Sequence, residues 1–455
     1  MKISDPIAAI ATPSGQGAIG MIRLSGPDLL PMLNPLFPKK DLTKVKTHTL
    51  HVGLLQDKSG KVLDEVVLGI YKNPKSYTGE DVVEISCHGA PLILQQIMES
   101  LFEIGIKQAD AGEFTQRAFL NGKLDLSQAE AVGDLIAAES MRAKEVALGQ
   151  MRGGFSKKLK ALRQKLLDFA GLIELELDFS EEDVTFADKA ALEKLLHELT
   201  SNIKLMADSF KQGNVIKSGL KVVIAGRPNA GKSTLLNALL EEEKALVSDI
   251  PGTTRDFIED AIQINGIQFR FTDTAGIRDA TDSLEKMGIA RTFEKLEGAD
   301  LILYIFDLKQ LNVDDLARDL AQMPEGKNCL VVGNKLDLVG EAERQKFEHF
   351  DTPIHMISGL AKTHLEALKE ALLKEVDLNQ LPADATLVTN IRHYQALQQS
   401  LQHIESLQTG LEQGLSGDFL AIDLRAALHS LGEITGEISN DDVLGNIFAN
   451  FCIGK

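Results

Sequence analysis

Gly226-Arg227-Pro228-Asn229-Ala230-Gly231-Lys232-Ser233 follows the apolar run Val222-Val223-Ile224-Ala225 and precedes a helical pattern carried by Leu235, Leu236, Leu239 and Leu240. A glycine-rich turn between a strand and a helix is the setting of a Walker A loop. Backbone N–H groups of the turn and the helix N-terminus face a phosphate there, with Lys232 placed for the β and γ oxygens and Ser233 for Mg2+. Asn229, Ala230, Gly231, Lys232, Ser233 and Thr234 are therefore the expected phosphate-binding set. The pattern alone arises by chance in about one chain in fifty of this length, so a nucleotide domain needs support from other stretches of the chain.

Three such stretches occur in the right order. Asp273-Thr274-Ala275-Gly276 ends a second apolar strand, Phe269 to Thr272, where a carboxylate can hold Mg2+ through water and a glycine N–H can meet a γ-phosphate. Asn334-Lys335-Leu336-Asp337 comes after a third strand, Cys329 to Val332. The Asp337 carboxylate there can accept from the N1–H and N2–H2 of guanine, a donor pair that adenine lacks. Ser358, after Pro353 to Ile357, stands where a backbone N–H would meet guanine O6. Together they imply a P-loop, Ras-like nucleotide domain that selects GTP.

The chain of 455 residues is long enough for several domains, and 44% hydrophobic with 25% charged residues is ordinary globular composition. A net charge of −18 argues against a simple basic nucleic-acid binder, so any RNA contact needs a local basic patch or a partner. Cys87, Cys329 and Cys452 are too dispersed for a disulfide framework or a metal cluster, which suits a reducing cytoplasm. No targeting signal and no membrane-length apolar run is visible, so a cytoplasmic protein without a membrane association is expected.

The pattern as a whole is multidomain α/β. Residues 1–122 alternate strand-like runs (Ile7 to Ala11, Ile19 to Leu24, Val66 to Tyr71, Asp81 to Ser86) with a helical stretch, Leu92 to Leu101, and read as an α+β domain; Pro31 to Lys46 reads as surface loop. Helical periods occupy 123–217, opening with a capping box at Ser127 and Glu130 and continuing through Leu159, Leu162, Leu166, Ala170, Ile173 and Leu177. Lys157, Lys158, Lys160, Arg163 and Lys165 lie opposite that stripe, either a solvated face or an RNA-contacting one. The G domain takes 218–379. Helices return over 380–455 through Leu397, Leu401, Ile404, Leu407, Leu411, Leu420, Leu424, Leu428 and Leu431, which suggests one helical domain interrupted by the G domain.

Two residues depart from a Ras-type switch. Ile277 stands where those proteins keep a water-positioning glutamine, and Asn229 offers a side-chain carbonyl that can ligate a monovalent cation between phosphates.

Longer strings carry a resemblance. Asp249-Ile250-Pro251-Gly252-Thr253-Thr254-Arg255-Asp256, Tyr77-Thr78-Gly79-Glu80-Asp81, Gly112-Glu113-Phe114-Thr115-Gln116-Arg117-Ala118-Phe119-Leu120-Asn121 and Phe451-Cys452-Ile453-Gly454-Lys455 make the chain resemble, from end to end, the MnmE (TrmE) family of tRNA uridine modification GTPases. The resemblance implies that Ser248, Asp249, Ile250, Pro251, Gly252, Thr253 and Thr254 form a nucleotide-ordered switch loop. Thr254 would join Ser233 on Mg2+, while Ser248, Ile250 and Thr253 would complete a K+ cage with Asn229. Glu285 would orient the attacking water. Pro251 replaces the family's usual alanine, which stiffens the loop and removes one N–H.

The N-terminal domain resembles the tetrahydrofolate-binding fold of the aminomethyltransferase family. This implies a pocket for 5,10-methylene- or 5-formyl-tetrahydrofolate made by Arg23, Glu84, Lys123 and Lys455. Cys452 reads either as a nucleophile for a uridine or as a packed thiol. The family further implies a homodimer, an FAD-dependent partner (MnmG, also called GidA) in a heterotetramer, and tRNA as substrate. A regulatory GTPase of ribosome assembly is the alternative, although no KH-type appendage is visible.

Overall fold

The computed structural model describes residues 5–178, 189–244, 260–273, 294–376, 387–438 and 441–455. The chain divides into two compact units, one of Met1–Ala137, Ala147–Lys204 and Gln395–Lys455, the other of Ala138–Val146 and Leu205–Tyr394.

The first unit is built on a six-stranded sheet. β1 (Ile7–Ile10), β2 (Ile19–Gly26), β3 (Thr49–Gln56), β4 (Val62–Tyr71), β5 (Asp81–His88) and β6 (Lys107–Gln108) are ordered β3-β4-β5-β2-β1-β6, all antiparallel except the β1–β6 pair. Ile22, Leu24, Leu68, Ile70, Val83 and Ile85 alternate inward from its central strands and share a core with Leu94, Ile97 and Leu101 of the helix Pro91–Glu103. The stretch Pro31 to Lys46 is not the surface loop expected. A short helix at Leu29–Leu33 and two single 3-10 turns sink Leu33, Leu36, Phe37, Leu42 and Val45 into the same core, leaving the lysines between them in water. Strand β3 gives no signal in the sequence because its outward face is also apolar: Leu50, Val52 and Leu54 are exposed while Gly53 and Leu55 point in, so no polar alternation marks it.

Helices complete this unit. The capping box lies two residues before the expected one: the Asp125 side chain accepts from the Gln128 N–H (3.0 Å) and Gln128 Oε1 accepts from the Asp125 N–H (3.1 Å). Ser127 is instead inside the helix Leu126–Ala137, its hydroxyl donating to Asp125 Oδ1. The helix Gly154–Asp178 buries Leu159, Leu162, Leu166, Phe169 and Ile173, with Phe169 rather than Ala170 carrying the middle of the stripe, and packs along the helix Gly417–Thr435. Leu397, Leu401, Ile404, Leu407, Leu420, Leu424 and Leu431 are buried as their period requires. The chain end returns to the sheet domain: the Lys455 carbonyl accepts from the Phe114 N–H at 3.2 Å, and Ile453 bridges Ala111.

In the second unit, β7 (Leu220–Ala225), β8 (Asp260–Ile264), β9 (Ile267–Asp273), β10 (Leu301–Asp307), β11 (Cys329–Asn334) and β12 (Ile354–Met356) are ordered β12-β11-β10-β7-β9-β8. Five strands are parallel and the edge strand β8 is antiparallel. All seven residues of β10 are buried because helices cover both faces, the pattern of a parallel sheet. Val222, Ile224, Leu303 and Ile305 face one core, and Val223, Ala225, Ile302 and Tyr304 the other. The segment from Ala138 belongs here, with the Arg142 N–H donating to the Gly266 carbonyl and Gln268 Nε2 to the Glu139 carboxylate (2.8 Å). Among the described residues, no helix is long and apolar enough to cross a membrane.

Candidate functional site

The loop from Gly226 to Gly231 joins the buried C-terminal end of β7 to the N-terminus of the helix Lys232–Lys244. Two glycines are required by space as well as by conformation. A Cβ on Gly226 (φ 143°) would stand 2.0 Å from the Ile305 carbonyl oxygen, and one on Gly231 (φ 92°) 2.2 Å from Asn334 Nδ2. Asn229 takes the left-handed region at φ 62°, which asparagine tolerates. Lys232 is nearly buried, and its amine donates to the Gly226 and Arg227 carbonyls at 3.0 and 3.1 Å. It therefore lies across the mouth of the loop, where a triphosphate would exchange two neutral acceptors for charged ones.

Asn334, at the end of β11, is 2% exposed and joins two loops. Its Nδ2 donates to the Ala230 carbonyl (2.9 Å), and its Oδ1 accepts from the Gly359 N–H (3.0 Å). Lys335, at φ 65°, donates to Asp307 Oδ2 at 2.8 Å, and Asp337 is exposed beside Ser358. The Ser358 backbone N–H donates to the Thr363 carbonyl at 3.2 Å, and its hydroxyl donates to Asp337 Oδ1 and accepts from the Ala361 N–H. The Ser358 hydroxyl thus orients the Asp337 carboxylate.

A side-chain anchor of the phosphate loop is not legible in the sequence. Arg227 Nε and Nη2 donate to the two carboxylate oxygens of Asp319 at 2.7 and 2.9 Å, and the Tyr304 hydroxyl donates to the same carboxylate. Burial holds Asp319 up, but its bonds from Arg227 and Tyr304 outweigh that and put its carboxyl below the ordinary range; burial and Asp319 together push the Tyr304 hydroxyl up. The one cue in the sequence is Arg227 itself, yet its partner lies 92 residues away.

Asp273 closes β9. Thr274, Ala275, Gly276, Ile277, Glu285 and the switch residues Ser248, Asp249, Ile250, Pro251, Gly252, Thr253 and Thr254 lie outside the described residues.

The other unit holds a second polar cluster. Arg23 on β2 and Glu84 on β5 are register partners across the sheet, and both Nε and Nη2 of Arg23 donate to Glu84 Oε1 at 3.1 and 2.9 Å. The guanidinium sits 5.7 Å from the centre of the Tyr77 ring, and its Nη1 meets the Gly454 carbonyl at 3.5 Å. Burial, and then the charge of Arg23, pull the Lys455 amine below its usual value; burial, and then Glu84, push the Tyr71 hydroxyl up. Arg23, Glu84 and Lys455 are thus brought together with Tyr71 and Tyr77, which the sequence reading does not include. Lys123 is exposed, with its amine donating to the Pro74 carbonyl at 3.0 Å. Cys452 is exposed, not packed.

Two of the family strings meet in one buried ion cluster beside these residues. Arg117, 1% exposed, bonds Glu113 of its own helix, Glu80 of the Tyr77–Asp81 turn and the Asp5 carbonyl, which locks that turn against β2.

A family model described as the MnmE helical domain matches residues 126–452, and one described as the GTP-binding protein TrmE N-terminus matches residues 6–123. The chain is similar to the tRNA modification GTPase MnmE of Cytophaga hutchinsonii, with 51% identity over 453 residues that cover 99% of this chain and 98% of the relative. It is 52% identical over 463 residues to that of Flavobacterium johnsoniae, covering 99% of each. With that of Bacteroides thetaiotaomicron the identity is 48% over 464 residues, again 99% of each.

Proposed function

This chain belongs to the MnmE family of tRNA modification GTPases, and from that premise we propose a K+-activated GTP hydrolase with a defined place in tRNA chemistry. It acts as a cytoplasmic homodimer with an FAD-dependent partner, MnmG, and adds an aminomethyl or carboxymethylaminomethyl group at C5 of the wobble uridine, U34, of certain tRNAs. Tetrahydrofolate brings the bridging carbon.

The observation that carries the reading is that one chain holds both a glycine loop whose Gly226 and Gly231 leave no room for a Cβ, with Asn334 bonded to it, and the Arg23–Glu84 pair capped by the Gly454 carbonyl. A carboxylate suits a pterin's aminopyrimidine edge and the cations suit folate's own carboxylates. In the G domain, Lys232 and the loop N–H groups would hold the phosphates, Asp337 the guanine, and Ser233 with Thr254 the Mg2+. Asn229, Ser248, Ile250 and Thr253 would hold K+. Bound there, the two cations supply positive charge where phosphoryl transfer develops negative charge. Glu285 takes the water-positioning task that Ile277 cannot perform. The exposed apolar row Leu50, Val52 and Leu54 on the sheet edge supports a dimer through the N-terminal domain.

Mass spectrometry of tRNA nucleosides tests the reading. A deletion strain is expected to lack the modified wobble uridine and to regain it with this chain. An unchanged nucleoside profile would favour the ribosome-assembly alternative.

A further inference from the structure

An acidic chain acting on tRNA needs a cationic face, and two stretches compete for that role. The helix run Lys157 to Lys165 has the denser charge, but the fold neutralises much of it. Lys160 pairs with Asp125 at 3.5 Å, Arg163 with Glu437 at 2.6 Å, and Lys165 with Glu198.

The lysines of the Pro38–His48 segment behave differently. Leu42 and Val45 are buried and force Lys44 and Lys46 outward, beside the exposed Lys39 and Lys40. Two bonds tie this segment to the turn at Lys72–Lys75, the Lys72 N–H to Thr47 Oγ1 (2.9 Å) and the Lys72 amine to the Thr43 carbonyl (2.8 Å), and the His48 N–H donates to the Ile70 carbonyl of the preceding strand (2.7 Å). Lys123 adds its amine to the same turn at Pro74. Six lysines therefore gather on two joined loops with Lys123 reaching in beside them, and of these seven Lys44 alone has a carboxylate partner among the described residues, Asp41 at 2.9 Å. Among the described residues, Lys39, Lys72 and Lys123 hydrogen-bond backbone carbonyls alone, and Lys40 the His51 ring.

We propose that this face, centred on Lys44, Lys46, Lys72 and Lys75, is the surface on which the chain docks the phosphate backbone of RNA. Exposed amines spread over two loops suit successive phosphates of a long polyanion; a small anion would need an enclosed site. In the chain this turn lies between two residues of the Arg23–Glu84 cluster, Tyr71 directly preceding Lys72 and Tyr77 following Lys75 by two positions. The inference rests on the tRNA-modification function proposed for the chain.

The test is binding of a fluorescein-labelled, unmodified tRNA transcript with uridine at the wobble position to the full-length chain, read by anisotropy from 50 to 300 mM KCl. The combined variant Lys44→Ala, Lys46→Ala, Lys72→Ala, Lys75→Ala is expected to lose roughly 10–100-fold in affinity at 100 mM salt, and its log–log salt slope to become shallower by about 3. The same four positions changed to arginine retain binding. Lys157→Ala with Lys158→Ala leaves it unchanged, and GTP turnover and 5-formyl-tetrahydrofolate affinity stay at the wild-type level in every variant. Any of four results overturns the proposal: no tRNA binding by the wild-type chain, wild-type affinity and slope in the alanine variant, an equal loss in the helix variant, or normal tRNA binding with weakened binding of a triglutamylated folate. Failure of K+-dependent GTP hydrolysis, measured in the same preparations, would instead count against the function on which the inference rests.

Discussion

Replacing Arg117 by methionine tests how the family strings hold the Arg23–Glu84 cluster. Arg117 Nη2 and Nε reach Glu113 Oε1 at 2.7 and 3.2 Å, Nη1 reaches Glu80 Oε2 at 3.1 Å, and Nη2 also donates to the Asp5 carbonyl at 2.8 Å. Methionine fills similar volume and leaves two carboxylates, with side chains 11% and 16% exposed, facing one lost cation. Breaking a buried pair from one side costs about 3–5 kcal/mol. Here Glu113 keeps the Asp110 N–H (2.9 Å) and Glu80 keeps the Ser25 hydroxyl (2.7 Å), which places the cost near 3 kcal/mol.

Pulse proteolysis across a urea gradient, following the N-terminal unit, measures this loss. A deficit under about 1 kcal/mol refutes the reasoning. Adding Glu80→Gln and Glu113→Gln is expected to recover more than half of the loss. Because Glu80 and Thr78 both meet Ser25, two residues along β2 from Arg23, the single variant also weakens 5-formyl-tetrahydrofolate binding.

Asp337→Asn removes the acceptor for guanine's two donors and lowers GTP affinity by ~2–4 kcal/mol, and xanthosine triphosphate recovers part of it; equilibrium binding with both nucleotides decides. Arg23→Ala weakens folate binding and leaves GTP turnover intact, checked by folate titration beside phosphate release. Asn229→Ala abolishes the advantage of K+ over Na+ in turnover, and Glu285→Ala slows hydrolysis roughly 10–1000-fold in either salt; steady-state rates in the two salts separate these effects. Asp319→Asn costs under about 1 kcal/mol at pH 7, because Arg227 is half-exposed. Since the folded Asp319 carboxyl lies below its ordinary value, that contribution is present above the unfolded pKa and lost as pH falls through the folded one, so variant and wild type converge in acid melts.

Legibility in the sequence depends on whether backbone or side chains make the feature. The phosphate loop is a backbone requirement, local and tied to glycine, so Gly226 to Ser233 announces it between a strand and a helix that both form. A strand buried on both faces, such as β11, is equally plain as an unbroken apolar run. Strand β3 is hidden by its apolar outward face, and the 31–46 stretch by the irregular spacing of Leu33, Leu36, Phe37, Leu42 and Val45, which follows neither period. The Arg23–Glu84 cluster joins residues 61 and 431 positions apart, a distance no local pattern spans. Only long matched strings reach it.

Charge is the least legible of all, because its meaning lies in the partner. Five basic residues in nine resemble an RNA face, yet among the described residues acids from other elements meet at least three of them. Among the described residues, Lys44, Lys46, Lys72 and Lys75 draw one carboxylate between them. A paired cation has already lost most of the field that attracts a phosphate, and breaking its pair offsets what the new contact returns. For an acidic protein the face available to RNA is therefore set by which lysines the fold leaves without acids, and here that selects the loops beside Tyr71 and Tyr77 over the helix.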